Sequence, residues 1–463
     1  MKLVLMLMAI STLTMSVPAG PVTEDFKITP LDLAQDDRFG ISIDADEGIA
    51  AIGSRLHDGP ALNSGAVYLY DTSTGAQLRK VLVPDSSQGS GFGNAVAIEM
   101  SSLTHYLLVG KEQDRDEGID AGAVYVFHAD TGAFQYKIRT PDGGGSKFGA
   151  TIAIEDNIAV IGAPESSVNG SRSGRAFIYD LSNGSLLHTL EAQTPQSNAL
   201  FGCSVDISDG LVIVGARRET PNGPNSGSAY VFNAQSGLML ARFTAPDNEM
   251  GDQFGNAIAI EFPIAIVGAL AEGENGANAG AAYVYCLDEP TKPMMTQKLI
   301  APDGAPGDEF GVDVDLQPFK TTYFAVVGSW KSDVGEVDTG AAYRFELLED
   351  GSLFSFEKLI ASDANEDAFL GQSVALGFNG RVVTGAPDDN TNFLNAGAVF
   401  VYAGPPPLCP ADLNGDGTLN FFDVSAFLSA FQSQNPIADF NGDGLFNFFD
   451  VSAFLIEYNA GCP

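Results

Sequence analysis

Short apolar segments alternate with glycine-rich polar segments along most of the chain, and their order recurs. A Phe-Gly pair opens an apolar run that ends in Gly, and after a polar loop a second apolar run follows, such as Gly122–Phe127 or Gly280–Tyr285. A last segment reads like Gln297–Asp303. Runs of this length, rich in Val, Ile, Tyr and Phe and bounded by turn residues, predict β-strands. Each copy of the pattern therefore predicts four short strands.

The Phe-Gly pair begins at six positions with nearly constant spacing: Phe39, Phe92, Phe148, Phe201, Phe254 and Phe310. We interpret Phe369-Leu370-Gly371 as a seventh copy with one inserted residue. The intervals between successive phenylalanines are 53, 56, 53, 53, 56 and 59 residues. Seven copies of four strands at this period predict an all-β fold, a seven-bladed β-propeller.

The two ends of the repeat region complement each other. The segment from Phe26 to Leu33 has the pattern of a fourth strand, but no blade precedes it. The last copy ends at Tyr402, after its third strand. We therefore expect the N-terminal strand to complete the seventh blade beside Ala398–Tyr402, which removes two exposed sheet edges.

The repeats, with Gly-Ala-Pro at Gly162–Pro164 and Gly385–Pro387, resemble FG-GAP repeat proteins. The family fold is the seven-bladed propeller that also forms the head of integrin α chains, and the resemblance covers residues 23–403. It implies a binding or adhesion function. Integrin-type repeats carry a calcium loop between the first two strands of some blades, whereas here these connections are short hairpins such as Glu155–Asn157. The resemblance does not extend to that calcium.

Two near-identical segments follow a Pro-rich linker at residues 404–408. Each begins with oxygen-bearing side chains at the spacing of an EF-hand calcium loop, with Gly417 or Gly444 at the sharp bend. The predicted ligands of two Ca²⁺ ions are Asp412, Asn414, Asp416, Thr418, Asn420 and Asp423 in the first loop and Asp439, Asn441, Asp443, Leu445, Asn447 and Asp450 in the second. One helix is predicted after each loop, over Val424–Phe431 and Val451–Tyr458.

A duplicated loop with one exit helix resembles the type I dockerin module, and the closing Ala-Gly-Cys-Pro resembles its GC-type variant. This resemblance covers residues 409–463 and implies a small α-helical calcium-binding domain that binds a cohesin-like or cell-surface anchoring partner. In dockerins the tenth and eleventh loop positions help to contact cohesin and are often small or hydroxylic. Here they are Phe421, Phe422, Phe448 and Phe449. Exposed, these side chains would form a partner-binding patch; buried, they would form the core of the module.

Cys409 and Cys462 bracket the two loops, and each is followed by Pro. A duplicated module tends to bring its ends together, so we predict a Cys409–Cys462 disulfide, which export permits. Cys203 and Cys286 lack such symmetry and are predicted to be unpaired.

The first 19 residues read as a secretory signal peptide. Lys2 precedes an apolar run from Leu3 to Val17, and small residues lead to a cleavage site after Ala19. The run is too short for a membrane-spanning helix, and no later segment is apolar enough for one. We therefore expect a protein that is secreted, either extracellular or at the cell surface, with no transmembrane segment.

The excess of acidic over basic residues excludes one class of binding partner. Asp and Glu number 59 against 23 Lys and Arg, a formal charge of −36. Nucleic-acid binding, which needs cationic side chains against phosphates, is excluded. Two features of the propeller loops are candidates for binding. Asp114, Asp116 and Asp120 form a tentative metal site or a solvated acidic loop, and Trp330 is either a partner contact or a cover for its blade.

No metalloprotease, nucleophile-elbow, phosphate-loop or dinucleotide motif occurs in the chain. The sequence therefore favours a non-catalytic binding or adhesion protein, with a protein or glycan ligand on the propeller loops. The alternative is an anchored extracellular polysaccharide hydrolase or lyase, because dockerins often accompany such enzymes and propellers can host catalysis.

Overall fold

The computed structural model describes residues 20–84, 91–100, 105–363 and 365–404, and in the C-terminal segment residues 411, 413, 419–433, 438, 440 and 445–461. The chain divides into two compact units, Met1–Tyr402 and Ala403–Pro463. The predicted signal peptide, Cys409, Cys462 and most calcium-loop positions lie outside the described residues. No helix among the described residues is long and apolar enough to cross a membrane.

The first unit is a propeller of seven antiparallel sheets, which confirms the predicted fold. Blades are numbered from the first Phe-Gly pair, and their strands 1 to 4 run outward from the central axis. The strands of blades 1 to 4 are Phe39–Asp46, Ile49–Ser54, Ala66–Asp71 and Gln77–Leu82; Phe92–Glu99, Tyr106–Lys111, Ala123–His128 and Ala133–Arg139; Thr151–Glu155, Ile158–Ala163, Arg175–Asp180 and Ser185–Leu190; and Val205–Ser208, Leu211–Ala216, Ser228–Asn233 and Met239–Phe243.

The remaining blades follow the same order. The strands of blades 5 to 7 are Ile258–Glu261, Ile264–Ala269, Ala281–Cys286 and Met294–Leu299; Phe310–Phe319, Thr322–Ser329, Ala341–Leu348 and Leu353–Ile360; and Ser373–Gly377, Arg381–Ala386, Ala398–Tyr402 and the N-terminal Phe26–Ile28. A short 3-10 turn, Phe378–Gly380, joins the first two strands of blade 7.

The N-terminal segment closes the ring as predicted. Phe26–Ile28 pairs antiparallel with strand 3 of blade 7, with Phe26 opposite Val401 and Ile28 opposite Val399. A further contact was not predicted: Val22–Thr23 pairs parallel with strand 4 of blade 6 and gives that sheet a fifth strand. The chain start therefore joins two blades.

The core of the propeller lies between the blades. Strands 2 and 3 are buried on both faces because each blade packs against two neighbours, so these strands read as continuous apolar runs. The buried side chains form seven clusters, one for each pair of adjacent blades. The ring is thus held by repeated burial of apolar side chains between sheets.

The Phe of each Phe-Gly pair is fully buried in one of these clusters. It meets an aromatic ring of strand 3 in its own blade, as Phe254 meets Tyr283 at 5.7 Å between ring centroids. In the seventh copy the structure differs from our interpretation, because Leu370 occupies this buried position and Phe369 is partly exposed. Leu370-Gly371 is therefore the equivalent pair, and no residue is inserted within it.

The seam between adjacent blades requires glycine. Gly227, just before strand 3 of blade 4, forms a parallel bridge with Phe254 of blade 5 at φ +86°. A Cβ atom there would lie 2.1 Å from the Phe254 carbonyl oxygen. The same bridge occurs at Gly65, Gly122, Gly174, Gly280, Gly340 and Gly397. All seven seams thus depend on a close approach of backbone to backbone that no side chain permits.

Among its described residues, the second unit contains two helices, α1 (Phe421–Ser433) and α2 (Phe448–Ala460). Both begin three residues earlier than predicted, because Asn-Phe-Phe-Asp acts as a capping sequence. The Asn447 side chain accepts from the Phe449 N–H at 2.8 Å, and Asp450 accepts from the Asn447 N–H at 2.8 Å. Phe427 and Phe454 stack at 4.2 Å between the two helices and form the centre of the small core.

A Gly227→Ala substitution should destabilise the propeller by roughly 3 kcal/mol, since it adds a steric clash to an unfavourable φ. Trp330 is the only tryptophan of the chain, so its fluorescence during denaturant unfolding reports on the propeller alone. Gly210→Ala is the matched control, because Gly210 also has a positive φ but nothing lies within 4 Å of its Cβ position. Equal midpoints for the two variants would contradict the seam argument.

Candidate functional site

The loops between strands 2 and 3, together with those that lead from strand 4 to the next blade, form one face of the propeller, here called the loop face. In six of the seven blades, the strand 2–3 loop is tied to the next blade by two successive carbonyls among the described residues. At the blade 4–5 seam the Pro224 carbonyl accepts from the Gly251 N–H at 3.1 Å and the Asn225 carbonyl from the Gln253 N–H at 3.0 Å. Equivalent carbonyls act at Ile119 and Asp120, Ser171 and Arg172, Ala277 and Asn278, Val337 and Asp338, and Leu394 and Asn395. The loop face is therefore held in a defined conformation.

A cation on strand 4 lies over the aromatic ring opposite it on strand 3 in six of the seven blades described. In blade 5 the Lys298 ammonium is 5.3 Å from the Tyr283 ring centroid and 2.7 Å from Asp247, and the Tyr283 hydroxyl donates to Asp247 at 2.8 Å. Asp247 belongs to the loop that leaves blade 4, so the contact crosses the seam. The other cations are Lys80, Lys137, Arg242, Lys358 and Lys27.

The electrostatics of this contact favour the charged forms. Burial raises the pKa of Asp247, but the hydrogen bonds from Lys298 and Tyr283 outweigh it and leave the pKa below its usual value. The pKa of Lys298 is raised by its three carboxylate partners, although burial opposes this. Tyrosine, lysine and aspartate thus form a stable charged unit across the seam.

One group of carboxylates has the proximity expected of metal ligands. Asp247, Glu272 and Glu274 place one oxygen each within 4.8 Å of one another, the only such group of three His, Cys, Asp or Glu residues among those described. The Lys298 ammonium lies 2.7 to 3.2 Å from all three. Lysine supplies the positive charge at this site.

The tentative site at Asp114, Asp116 and Asp120 has a similar environment. Asp114 is buried. It forms ion pairs with Lys137 at 2.7 Å and Lys111 at 3.3 Å, and it accepts a hydrogen bond from the Tyr125 hydroxyl at 3.1 Å. Asp116 also pairs with Lys137, and Asp120 is 4.0 Å from Lys147. The structure therefore does not bring the three carboxylates together as a ligand set. Lys137 is shared by Asp114 and Asp116, and Lys147 is the cation nearest to Asp120.

Trp330 lies on the loop face at the blade 6–7 seam and is partly buried. Its indole N–H donates to Glu309 at 2.9 Å, its ring meets Phe369 at 5.2 Å, and the Lys331 ammonium is 4.7 Å from the ring centroid. The residue covers the seam and still exposes part of its surface. Phe369, displaced from the core by Leu370, is its packing partner.

The inner strands surround an axial cavity of about 290 Å³ that carries carboxylates the sequence analysis missed. Asp44, Asp206 and Asp315 occupy the same strand 1 position in blades 1, 4 and 6, where the other blades have alanine at Ala97, Ala153, Ala259 and Ala375. Each bridges to the next blade, as Asp206 accepts from the Ile260 N–H at 2.6 Å. The signal that could have revealed them is an acidic residue five positions after the buried Phe.

The carboxylates that line the axial cavity are buried, and their burial raises their pKa values. Burial raises the pKa of Asp44 to about 6 and that of Asp206 to about 7, in spite of backbone N–H donors that lower it. Asp44 and Glu261 add repulsion at Asp206, and Asp46 and Glu99 add it at Asp44. Burial raises the pKa values of Asp313 and Asp315 in the same way.

Four of the predicted calcium-loop side chains are among the described residues whose contacts are known. Asp423 and Asp450 are fully buried, and each accepts the N–H of the Asn three residues before it at 2.8 Å. Asn420 and Asn447 thus lie at the helix starts beside these carboxylates. These side chains offer hard oxygen ligands, which are the ligands that Ca²⁺ prefers. The remaining ligands, apart from Leu445, lie outside the described residues.

The described Phe side chains of the predicted patch are exposed. Phe421 is 76% exposed, Phe448 75% and Phe449 67%, whereas the core of the unit is formed by Phe427, Phe454 and small residues. Of the Phe422 side chain nothing is described. The apolar surface is available for a partner rather than used as core.

The described cysteines, Cys203 and Cys286, are unpaired, as predicted. The Cys203 thiol donates to the Gly255 carbonyl at 3.4 Å, and burial raises its pKa. The predicted Cys409–Cys462 bridge lies outside the described residues and stays a prediction.

An Asp206→Ala substitution should change how stability depends on pH. The raised pKa means that native Asp206 holds its proton up to about pH 7, whereas the unfolded chain releases it near 3.8. Its contribution is fully present below pH 3.8 and is lost as pH rises to about 7. Wild type should therefore lose stability between pH 4 and 7 more steeply than the variant, by at most about 1.4 kcal/mol per pH unit. Parallel profiles from Trp330 fluorescence would contradict this.

Comparison with known proteins agrees with the seven repeats and the propeller fold described above. The FG-GAP repeat model matches seven times, at residues 22–70, 76–127, 134–179, 187–232, 239–285, 294–345 and 354–402. Among solved structures, the crystal structure of the RRP9 WD40 repeats matches with a TM-score of 0.53 and 10% identity, over 82% of this chain and 98% of that one. That likeness shows the propeller fold alone. No curated protein matches the chain significantly. With most of its length in seven matched copies, the chain belongs to the FG-GAP repeat family.

Proposed function

We propose that the chain is an exported, non-catalytic binding or adhesion protein. Its propeller recognises a protein or glycan through the loop face, and its C-terminal unit anchors it to a cohesin-like or cell-surface partner in a calcium-dependent way. FG-GAP repeats in a propeller fit a protein of the binding or adhesion type. The single observation that carries the proposal is the loop face, where six of the seven seams fix the loops by the same pair of backbone hydrogen bonds among the described residues.

The contacts of three of the four histidines support a non-catalytic role. His57 contacts Asp37 at 2.7 Å and Lys80 at 2.7 Å within the blade 7–1 seam, and its ring is buried. His105 contacts Asp130 at 2.6 Å in blade 2, and His188 contacts the Gln235 carbonyl at 2.9 Å. Each of these contacts joins neighbouring strands or blades, which accounts for the histidine without a reaction.

The C-terminal unit supports the anchoring part. In each half, Asn and Asp side chains lie together at the start of a helix, and exposed Phe rings stand immediately beside them. In the proposed bound state Ca²⁺ is held by the two sets of loop residues named above, with Asp423 and Asp450 at the twelfth positions. Metal binding would order the loops and thereby present the Phe rings.

A glycan array with the full chain tests the propeller function against its alternative. Retention of a glycan without turnover supports recognition, and no glycan retention directs the search to protein ligands. New reducing or unsaturated ends would contradict the non-catalytic proposal and favour the hydrolase or lyase. A pull-down with the C-terminal unit, with calcium and with EDTA, tests the anchoring part, and capture that is equal in both would contradict calcium dependence.

Removal of calcium should unfold the C-terminal helices and leave the propeller intact. Without metal, the acidic side chains of each loop repel one another, so binding energy is folding energy for this unit. The measurement is circular dichroism of the full chain with and without EDTA, with a variant truncated after residue 404 as control. The helical component should fall in the full chain and remain unchanged in the control. An unchanged full-length spectrum would contradict the calcium assignment.

A further inference from the structure

The blade 6–7 seam on the loop face differs from the blade 2–3 seam at two equivalent positions. Trp330 directly follows strand 2 of blade 6, and Phe369 directly precedes the buried Leu370 that opens blade 7. The equivalent residues at the blade 2–3 seam are Glu112 and Lys147, which lie 3.8 Å apart as an ion pair. At the blade 6–7 seam two aromatic rings meet instead, at 5.2 Å between their centroids. An apolar contact therefore replaces an ion pair.

This replacement removes the cation beside a loop carboxylate. At the blade 2–3 seam the Lys147 N–H donates to the Asp120 carbonyl at 3.2 Å, and the Lys147 ammonium is 4.0 Å from the Asp120 carboxylate. Asp338 occupies the same position in blade 6, and its carbonyl accepts from the Phe369 N–H at 3.2 Å. Because Phe369 carries no charge, the Asp338 carboxylate lacks the cation that Asp120 has.

The groups around Asp338 add negative charge rather than neutralise it. Asp333 accepts from the Asp338 N–H at 2.9 Å. Burial of Asp338, together with repulsion from Asp333 and Asp367, raises its pKa, and attraction to Lys331 opposes this. Lys331 pairs with Glu309 at 2.7 Å. Among the described residues, the three aspartates therefore have no ion-pair partner within 4.0 Å.

Exposed apolar surface adjoins these aspartates. Val337 is 53% exposed, and its carbonyl accepts from the Asp367 N–H at 3.1 Å. Trp330 and Phe369 are partly exposed, and Phe369 is held against Asp338 by its backbone hydrogen bond. Exposed apolar side chains that are bordered by polar ones mark interaction surfaces. The blade 6–7 patch is defined as Trp330, Asp333, Val337, Asp338, Asp367 and Phe369.

The spacing of the carboxylates favours a side-chain cation over a metal ion. Unlike the carboxylates around Lys298, those of Asp333, Asp338 and Asp367 do not place one oxygen each within 4.8 Å of one another. A metal ion holds its ligand oxygens closer together than this. A guanidinium or ammonium group pairs with one or two carboxylates at a time, and a guanidinium also stacks on aromatic rings.

We propose that the blade 6–7 patch binds a segment of a protein partner in which an Arg or Lys side chain stands next to a large apolar one. The cationic group pairs with Asp338 and Asp367, and the apolar side chain packs against Val337 and Phe369. Charge complementarity selects the cation, and the apolar surface favours a peptide over a sugar without a cationic group. This inference rests on the proposed binding function and names its site and partner class.

The test is selection of a displayed random peptide library on the immobilised full chain in calcium buffer. Enriched peptides should share Arg or Lys next to Leu, Ile, Phe or Trp. A synthetic peptide of the enriched sequence should bind Asp338→Asn at least threefold more weakly than wild type. It should bind Phe369→Lys at least tenfold more weakly, because that variant gives Asp338 the cation found at the blade 2–3 seam. Enrichment of acidic peptides, no enrichment, or wild-type binding to both variants would overturn the inference.

Asp120→Asn is the matched control. It removes the same charge from the equivalent loop position in blade 2, where Lys147 already serves the carboxylate. This variant should bind the peptide as wild type does, whereas a peptide attracted only by the net charge of −36 would lose as much affinity here as with Asp338→Asn. Unfolding followed by Trp330 fluorescence checks that all variants are folded.

The remaining outcomes separate this site from the proposed binding function. Equal weakening by Asp120→Asn and Asp338→Asn would refute the blade 6–7 patch and leave recognition by the loop face in place. Glycan binding that Phe369→Lys abolishes, with no peptide enriched, would refute the peptide assignment while supporting the loop face. Higher salt should weaken binding of the peptide to wild type, since part of the attraction is between exposed charges. Binding that does not change with salt would contradict the ion-pair contact.

Discussion

The approach of one blade's backbone to the next is the constraint on which the propeller depends. At every seam a glycine just before strand 3 lies against the residue that opens the next blade, and its missing Cβ leaves room for a carbonyl oxygen. A second glycine, near the end of strand 2, faces the Gly of the next Phe-Gly pair, as Gly215 faces the Gly255 carbonyl at 2.1 Å from its Cβ position. The repeated sequence motif therefore consists of the residues that form the seam. Phe fills the interior beside it, and the glycines allow the sheets to approach.

Closed seams have consequences for charge. An acidic protein must separate or neutralise its carboxylates. In four blades this one places a lysine on strand 4, over an aromatic ring and against an aspartate from the preceding blade. The same few cations thus stabilise blade packing and neutralise acidic loops, which explains why the acidic groups at Asp114 and Asp247 contain lysines. Along the axis no cation is present among the residues that line the cavity, and burial instead raises the carboxylate pKa values. On the loop face the carboxylates are therefore neutralised by cations, whereas along the axis burial favours their protonated form.

The sequence was sufficient for the parts of the fold that repeat. Period, strand number and closure by Phe26–Ile28 follow from apolar patterning, because every seam imposes the same local demands. Departures within one copy were not predictable in this way. Phe369 matches the motif better than Leu370, yet the spacing of the backbone bridge places Leu370 in the core. The start of α2 was placed too late, because the two Phe after Asn447 were assigned to the loop, although the Asn caps a helix that includes them.

Contacts between distant residues were the least accessible from sequence. The lysine units join strand 4 of one blade to the loop that leaves the blade before it, and the axial aspartates meet only after the ring closes. Repeat patterning predicts where a loop is, but differences between copies determine what it can bind.

The most direct test of the closed ring is native-state hydrogen exchange at the seven seams, followed by mass spectrometry. In six of the seven blades, the residue that opens the blade donates its N–H to a backbone carbonyl across the seam, as Phe254 donates to Ser226 and Phe39 donates to Ala396. We expect the peptide containing Phe39, at the seam between the two ends of the propeller, to exchange as slowly as the peptides containing Phe148, Phe201, Phe254 and Phe310. Exchange at Phe39 that is faster by orders of magnitude would contradict closure by the N-terminal strand.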